Sequence, residues 1–163
     1  MVIKMHVIHN LKPIFNKNSK ILILGSMPSI KSRELGFYYA HPQNRFWQIL
    51  EILFEIKLET KEEKIKFLLK NNIALWDVYK SCDILASSDN SIKNYKINDI
   101  NYIIKNSKIK VIFCTGKSAF NTLSKNFKTD IPIFYLSSPS SANASKKLET
   151  LVTEYKIILQ YLK

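Results

Sequence analysis

The chain is short of the residues that build metal clusters. It has two cysteines, Cys82 and Cys114, whereas an all-cysteine iron–sulfur or zinc site needs about four thiolates. Cys114 closes the apolar run VIFC and reads as a core residue; Cys82 falls in a polar stretch expected to be a loop. A disulfide is not expected in a reducing cytoplasm. No apolar run approaches the roughly 18 residues needed to span a bilayer. The start, MVIKMHVIHN, lacks the longer apolar stretch and small-residue cleavage site of a signal peptide. A soluble, cytoplasmic protein with no membrane partner is therefore expected. His6 and His9 have H-x-x-H spacing, but zinc needs further ligands and none is evident, so no metal and no cofactor is expected.

Arginine is equally scarce. Arg33 and Arg45 are the only two, so lysine carries nearly all the positive charge. The balance of 25 Lys and Arg against 13 Asp and Glu gives a formal net charge of +12. Such an excess attracts polyanions and steers them at a distance. A lysine-favouring composition would produce the same excess without a nucleic-acid partner. At 163 residues the chain fits one domain and can bury a core. A hydrophobic fraction of 46% separates it from disordered sequences. No repeat or linker divides it, so a single domain over residues 1–163 is expected.

Strand and helix patterns alternate. KILILGS (Lys20 to Ser26) is a buried strand, and Ser29 to Gln43 reads as a long loop. In NRFWQILEILFEI, Phe46, Ile49, Leu50 and Leu53 share one helical face. Thr60 and Glu63 form a capping-box start for a second helix, with Ile65, Leu68 and Leu69 as its stripe. IALWDVY (Ile73 to Tyr79) is a second strand, followed by a polar loop from Ser81 to Lys93 and a short helix near Asn98 to Lys105. IKVIFCTG (Ile109 to Gly116), the helix KSAFNTLSKNF, the strand IPIFYLSS (Ile131 to Ser138) and a last helix from about Lys146 to Leu162 complete the chain. Buried strands alternating with helices predict an α/β fold, a three-layer α/β/α sandwich around a four-stranded, mainly parallel sheet. Ligands bind such sheets at the carboxyl ends of the strands. That gathers GSMPS, the loop after Trp76 and Asp77, CTGKS and SSPSSAN. CTGKS is no P-loop, because the Gly required five residues before Gly116 is Val111.

The informative stretch is GSMPSIKSRELGFYYAHPQNRFW, Gly25 to Trp47. Gly25 and Pro28 make a tight exit from a strand, leaving backbone N–H groups to bond the edge of a base. Phe37, Tyr38 and Tyr39 offer stacking faces, and His41, Gln43, Asn44 and Arg45 stand beside them. Flat faces next to donors and acceptors suit a flipped nucleobase. The plain alternative is that the aromatics are core and Asn44 caps the helix.

This stretch resembles motif 1 of the mismatch-specific uracil-DNA glycosylases and thymine-DNA glycosylases, a GINPG strand exit followed by aromatic-Ala-His-Pro and Asn-Arg-Phe-Trp. Gly25, Pro28, Ala40 to Pro42 and Asn44 to Trp47 match at the same spacing. Met27, however, stands where those families carry the catalytic Asn, and a thioether cannot orient water. GSMP with YYAHPQN instead resembles the DNA-deoxyinosine (hypoxanthine-DNA) glycosylases of the uracil-DNA glycosylase superfamily. ALWDVYKSCDILASSDNSI (Ala74 to Ile92) and LSSPSSANA (Leu136 to Ala144) resemble two further segments of that family. Departures are Ser29 where the family usually has Gly, and Ser137 and Ser141 where it has Pro.

The resemblance implies a monofunctional glycosylase that hydrolyses the N-glycosidic bond of a deaminated base, preferably hypoxanthine, in base excision repair. It assigns the catalytic role to Asn44, with Asp77 a rival whose plain alternative is a structural bond to loop backbone. It implies a base pocket of Gly25, Ser26, Met27, Tyr39 and His41. DNA backbone would be gripped by Ser138, Ser140, Ser141 and Asn143, with phosphate contacts from Lys146 and Lys147. Asn143 or Ala142 would fill the space left by the base. The expected partner is damaged DNA, bound by a monomer. The alternatives are excision of uracil or mispaired thymine, and an inactive DNA-binding relative.

Overall fold

The computed structural model describes residues 4–163. Its elements run in the order β1 (Lys4–Ile8), β2 (Ile21–Gly25), α1 (Ile30–Leu35), α2 (Phe46–Phe54), α3 (Lys61–Lys70), β3 (Ile73–Asp77) and β4 (Tyr79–Leu85). They continue with β5 (Ser88–Ile97), α4 (Ile100–Lys105), β6 (Val111–Thr115), α5 (Lys117–Asn126), β7 (Ile133–Leu136), α6 (Leu148–Tyr155) and α7 (Ile157–Gln160).

The central sheet has the order β3-β2-β6-β7 and is parallel throughout. Its strands are apolar at successive positions because both faces are covered. Ile21 and Ile23 of β2 belong to a core formed with Phe46, Ile49 and Leu50 of α2, Phe67 and Leu68 of α3, and Leu151 and Tyr155 of α6. Leu22 and Leu24, pointing the other way, pack with Ile100 and Ile103 of α4 and Ala119 and Leu123 of α5. The edge strand β3 is closed by a bridge in which Ile14 and Leu75 exchange two backbone bonds of 2.9 Å. That bridge occupies the middle of the outer edge of β3.

Four expectations need correction. The polar stretch from Ser81 to Lys93 is not a loop: it forms most of the hairpin β4–β5, which joins β1 in an antiparallel sheet ordered β1-β4-β5. Cys82 is consequently buried in β4, where burial pushes its thiol up to about 11. The second correction is α1, set within the supposed loop of residues 29–43. Ser29 caps it, its hydroxyl accepting the Ser32 N–H at 3.1 Å, and Gly36 ends it in the left-handed region at φ 70°. Next, the run from Ile73 to Tyr79 is two strands, since Asp77 ends β3 and Tyr79 begins β4. The final helical stretch is likewise two, divided at Lys156. One outer layer of the sandwich is therefore α4 and α5 with the small sheet beside them.

Candidate active site

β2 and β3 end side by side, and their exits are zipped together. The Gly25 carbonyl accepts the Val78 N–H at 2.8 Å, and the Ser26 carbonyl accepts the Tyr79 N–H at 3.1 Å. Asn98 locks this junction, its Nδ2 donating to the Asp77 carbonyl at 2.8 Å and the Tyr79 carbonyl at 3.2 Å. The N–H groups of Ser26 and Met27 donate to no acceptor among the described residues. Both residues line, together with Gly25, a recess of about 110 Å³. Met27 is itself 7% exposed and also packs into the second core, with Leu24 and Val78.

Tyr39 lines the recess in a left-handed backbone conformation, φ 52°. One face of its ring is stacked on Phe46, with centroids 4.0 Å apart and planes 17° from parallel. Its hydroxyl is within 3.0 Å of the Thr115 hydroxyl. Asn44 reaches the same recess from the start of α2. Its Oδ1 accepts the Phe46 N–H at 2.9 Å, so it caps that N–H from one residue before Arg45, which holds the N-cap position itself. The cap and the pocket position coexist, because it occupies one lone pair of the amide oxygen. His41 does not reach the recess; it lines a wider groove of about 650 Å³ outside it.

Two carboxylates share the recess. Asp77 is 4% exposed, and its Oδ2 accepts a hydrogen bond from His9 Nε2 at 2.8 Å rather than one from loop backbone. His6 instead meets Asp83, Nδ1 to Oδ1, at 2.8 Å, so the H-x-x-H pair is divided between two acids. Asp89 was not singled out from the sequence. It enters from the start of β5, inside the segment that carries the second motif. Burial pushes its carboxyl above the usual range, the Ser26 hydroxyl beside it pulls it down, and nearby Asp77 raises it further. The only sequence signal for it was that motif, since an Asp in a Ser- and Asn-rich stretch reads as a turn.

The segment of residues 138–143 forms the outer wall. Ser138 and Ser140 line both the recess and the groove, and Ser141, Ala142 and Asn143 line the groove alone. Asn143 turns inward, Nδ2 donating to the Ser138 carbonyl at 3.0 Å, whereas Ser141 and Ala142 before it are exposed. Arg45 holds this wall. Its guanidinium donates to the carbonyls of Pro139 (3.3 Å), Ser140 (2.8 Å), Asn143 (3.1 Å) and Lys146. Lys146 and Lys147 lie just before α6 and line neither cavity, whereas Lys117 lines the groove.

Two outcomes follow for stability. Arg45→Lys should cost about 1–3 kcal/mol, because an ammonium cannot reach four carbonyls in a plane. Thermal melts would show the loss, and faster hydrogen exchange at residues 138–147 would place it. Asp89→Asn should raise the melting temperature near pH 7. A carboxyl whose folded pKa is raised destabilises the fold once pH exceeds its unfolded value, about 3.9. The gain should vanish when melts are repeated below about pH 3, where the carboxyl is protonated in both states.

Comparison with known proteins agrees with this architecture. The family described as "Uracil DNA glycosylase superfamily" matches residues 12–163. A Methanosarcina acetivorans protein named Hypoxanthine DNA glycosylase is 31% identical over 142 residues, covering 84% of this chain and 90% of its own. One of the same name from Methanosarcina barkeri is 33% identical over 111 residues, 66% of this chain and 70% of its own. The solution NMR structure of an M. acetivorans protein, provisionally assigned as a uracil DNA glycosylase, superposes with a TM-score of 0.81 at 29% identity, over 97% of this chain and 99% of that one. With its parallel sheet, its zipped strand exits and its motif-bearing loops on one recess, this chain belongs to the uracil DNA glycosylase superfamily.

Proposed function

We propose that this protein is a monofunctional DNA glycosylase that releases hypoxanthine from deoxyinosine, acting as a monomer in the cytoplasm without a cofactor. The observation that carries the reading is that Ser26 and Met27, whose N–H groups have no acceptor among the described residues, line a recess together with Asn44 and Tyr39. Hypoxanthine presents O6 and N7 as acceptors and N1–H as a donor. The two N–H groups suit the acceptors, and Asp89 or the free lone pair of Asn44 Oδ1 suits N1–H. Adenine carries an amino donor in place of O6, and a donor set against a donor leaves a buried group unpaired at about 1–3 kcal/mol. The two relatives named for hypoxanthine support the same substrate.

The flipped base would stack on the face of Tyr39 opposite the one that Phe46 occupies. Hydrolysis passes through an oxocarbenium-like sugar. Asn44 holds water beneath C1′, and the Ser26 and Met27 N–H groups take up negative charge on the departing base. The groove outside the recess carries the DNA backbone, with Ser138, Ser140, Ser141 and Lys117 along it and Lys146 and Lys147 beyond. Ala142 enters the space the base leaves.

Single-turnover assays on matched duplexes containing inosine, uracil or a G·T mismatch test the substrate. Hypoxanthine should be released fastest. Faster release of uracil would overturn the substrate while leaving the superfamily intact, and binding without release from any duplex would mark an inactive relative. Asn44→Ala should slow base release by roughly 10²-fold or more. The lost cap should cost only about 1 kcal/mol of stability in the accompanying melts. Turnover near that of the unaltered protein would remove Asn44 from the chemistry.

A further inference from the structure

Asp77 ends β3 within the recess, and its two carboxylate oxygens have unlike surroundings. Oδ2 accepts the bond from His9. Oδ1 receives no hydrogen bond among the described residues, yet it is not sealed from solvent, since no fully buried polar side-chain atom there lacks a partner. A Cβ on Gly25 would lie 2.5 Å from it, so this oxygen occupies the space that the absent side chain at position 25 leaves at the strand exit.

His9 is built to hold the other one. Its Nδ1 accepts the Leu11 N–H at 3.3 Å, which leaves the proton of a neutral ring on Nε2, directed at Asp77. The two side chains are 2% and 6% exposed. Their backbones are fixed as well: the His9 N–H donates to the Lys80 carbonyl at 2.8 Å, and Asn98 holds the Asp77 carbonyl. Tyr38 and Trp76 flank the imidazole, with centroids 6.2 and 6.3 Å away. Both nitrogens of a nearly buried ring are thus committed, one of them to an acid in the candidate site.

We propose that His9 is a positioning residue, which pins one oxygen of Asp77 so that the other faces the sugar of the flipped nucleotide. Asp77 then acts beside Asn44 as a second catalytic group. This rests on the glycosylase reading. As the water oxygen bonds to C1′, the C1′–N bond breaks and its electron pair leaves with the base. Asp77 Oδ1 takes the proton of that water, and the base takes a proton from solvent. Until then the carboxylate sets negative charge against the positive sugar, which helps only if its orientation is fixed beforehand. Asn44 alone lacks this, for an amide carbonyl orients water but is a poor base.

The test is single-turnover release of hypoxanthine by the full chain and by His9→Gln, His9→Leu, Asp77→Asn and the His9→Leu/Asp77→Asn double variant, with binding to an abasic-site duplex measured alongside. Asp77→Asn should slow release on the order of 10²-fold, and His9→Leu should lose most of the same factor, with abasic-site affinity unchanged. His9→Gln, which keeps an N–H donor, should recover most of the rate. In the Asp77→Asn background His9→Leu should slow release no further, because its effect passes through the missing carboxylate. Losses that multiply would overturn the proposal, as would His9→Leu or Asp77→Asn at the unaltered rate, or His9→Gln as slow as His9→Leu. Should His9→Leu not fold, His9→Gln and Asp77→Asn decide: His9→Gln near the unaltered rate with Asp77→Asn slow supports the proposal, and any other pair of rates overturns it. An unaltered protein that releases no base defeats the glycosylase reading, an outcome distinct from an active protein with indifferent variants.

Discussion

A side-chain methyl at position 25 would stand 2.5 Å from Asp77 Oδ1 and 2.9 Å from the Tyr39 hydroxyl. Three segments distant in sequence therefore meet where one residue has no side chain: the end of β2, the end of β3 and the aromatic turn before α2. Every other distance in the recess depends on this approach. Asp77 reaches the cavity because nothing stands between it and the neighbouring strand end. The Tyr39 ring, stacked on Phe46, can bring its hydroxyl up to the end of β2. The next two backbone N–H groups, at Ser26 and Met27, have no ladder partner among the described residues. A close backbone approach of this kind is where glycine is required for room rather than for an unusual φ.

The chain's two arginines complete the frame from the outside. Arg33 donates to the Pro28 carbonyl at 2.8 Å, steadying the segment that follows β2. Arg45 gathers four carbonyls of the opposite wall. Both guanidinium groups are thus turned onto protein carbonyls beside the site, and lysine supplies nearly all the remaining positive charge. The division follows the chemistry of the two side chains. A planar fork with five donors can bind several carbonyls at once, whereas a flexible, strongly hydrated ammonium is better suited to a polyanion that must also be released.

β2, β3 and β6 were legible because burial on both faces makes them apolar at consecutive positions, as in ILIL and VIFC, and the half-exposed edge strand β7 through its apolar run IFYL. The hairpin was not. β5 reads SDNSIKNYKI, and its inward residues, Ile92, Tyr95 and Ile97, are irregularly spaced across a strand pairing with register shifts. Alternation was therefore broken at the places where it would have been sought. α1 was hidden for a related reason: IKSREL has six residues and buries only Ser32, so it presents no apolar stripe. At the site, the loops after β2 and β7 were readable through local motifs. The bond between His9 and Asp77 spans 68 residues and joins a segment without any motif to one that has it, so nothing short-range in the sequence announces it.

Tyr39 is one of the few residues other than glycine with a positive φ. A left-handed aromatic residue stores of order 1–3 kcal/mol of backbone strain, held in place here by the stack on Phe46 and the bond to Thr115. Glycine at this position would relieve the strain and remove the ring in the same step. Relaxation of the backbone and loss of the stacking face are thus coupled at a single residue. A search for thermostable variants that ignored activity would tend to drift toward discarding this ring, and one that monitored activity would have to seek its stability elsewhere in the fold.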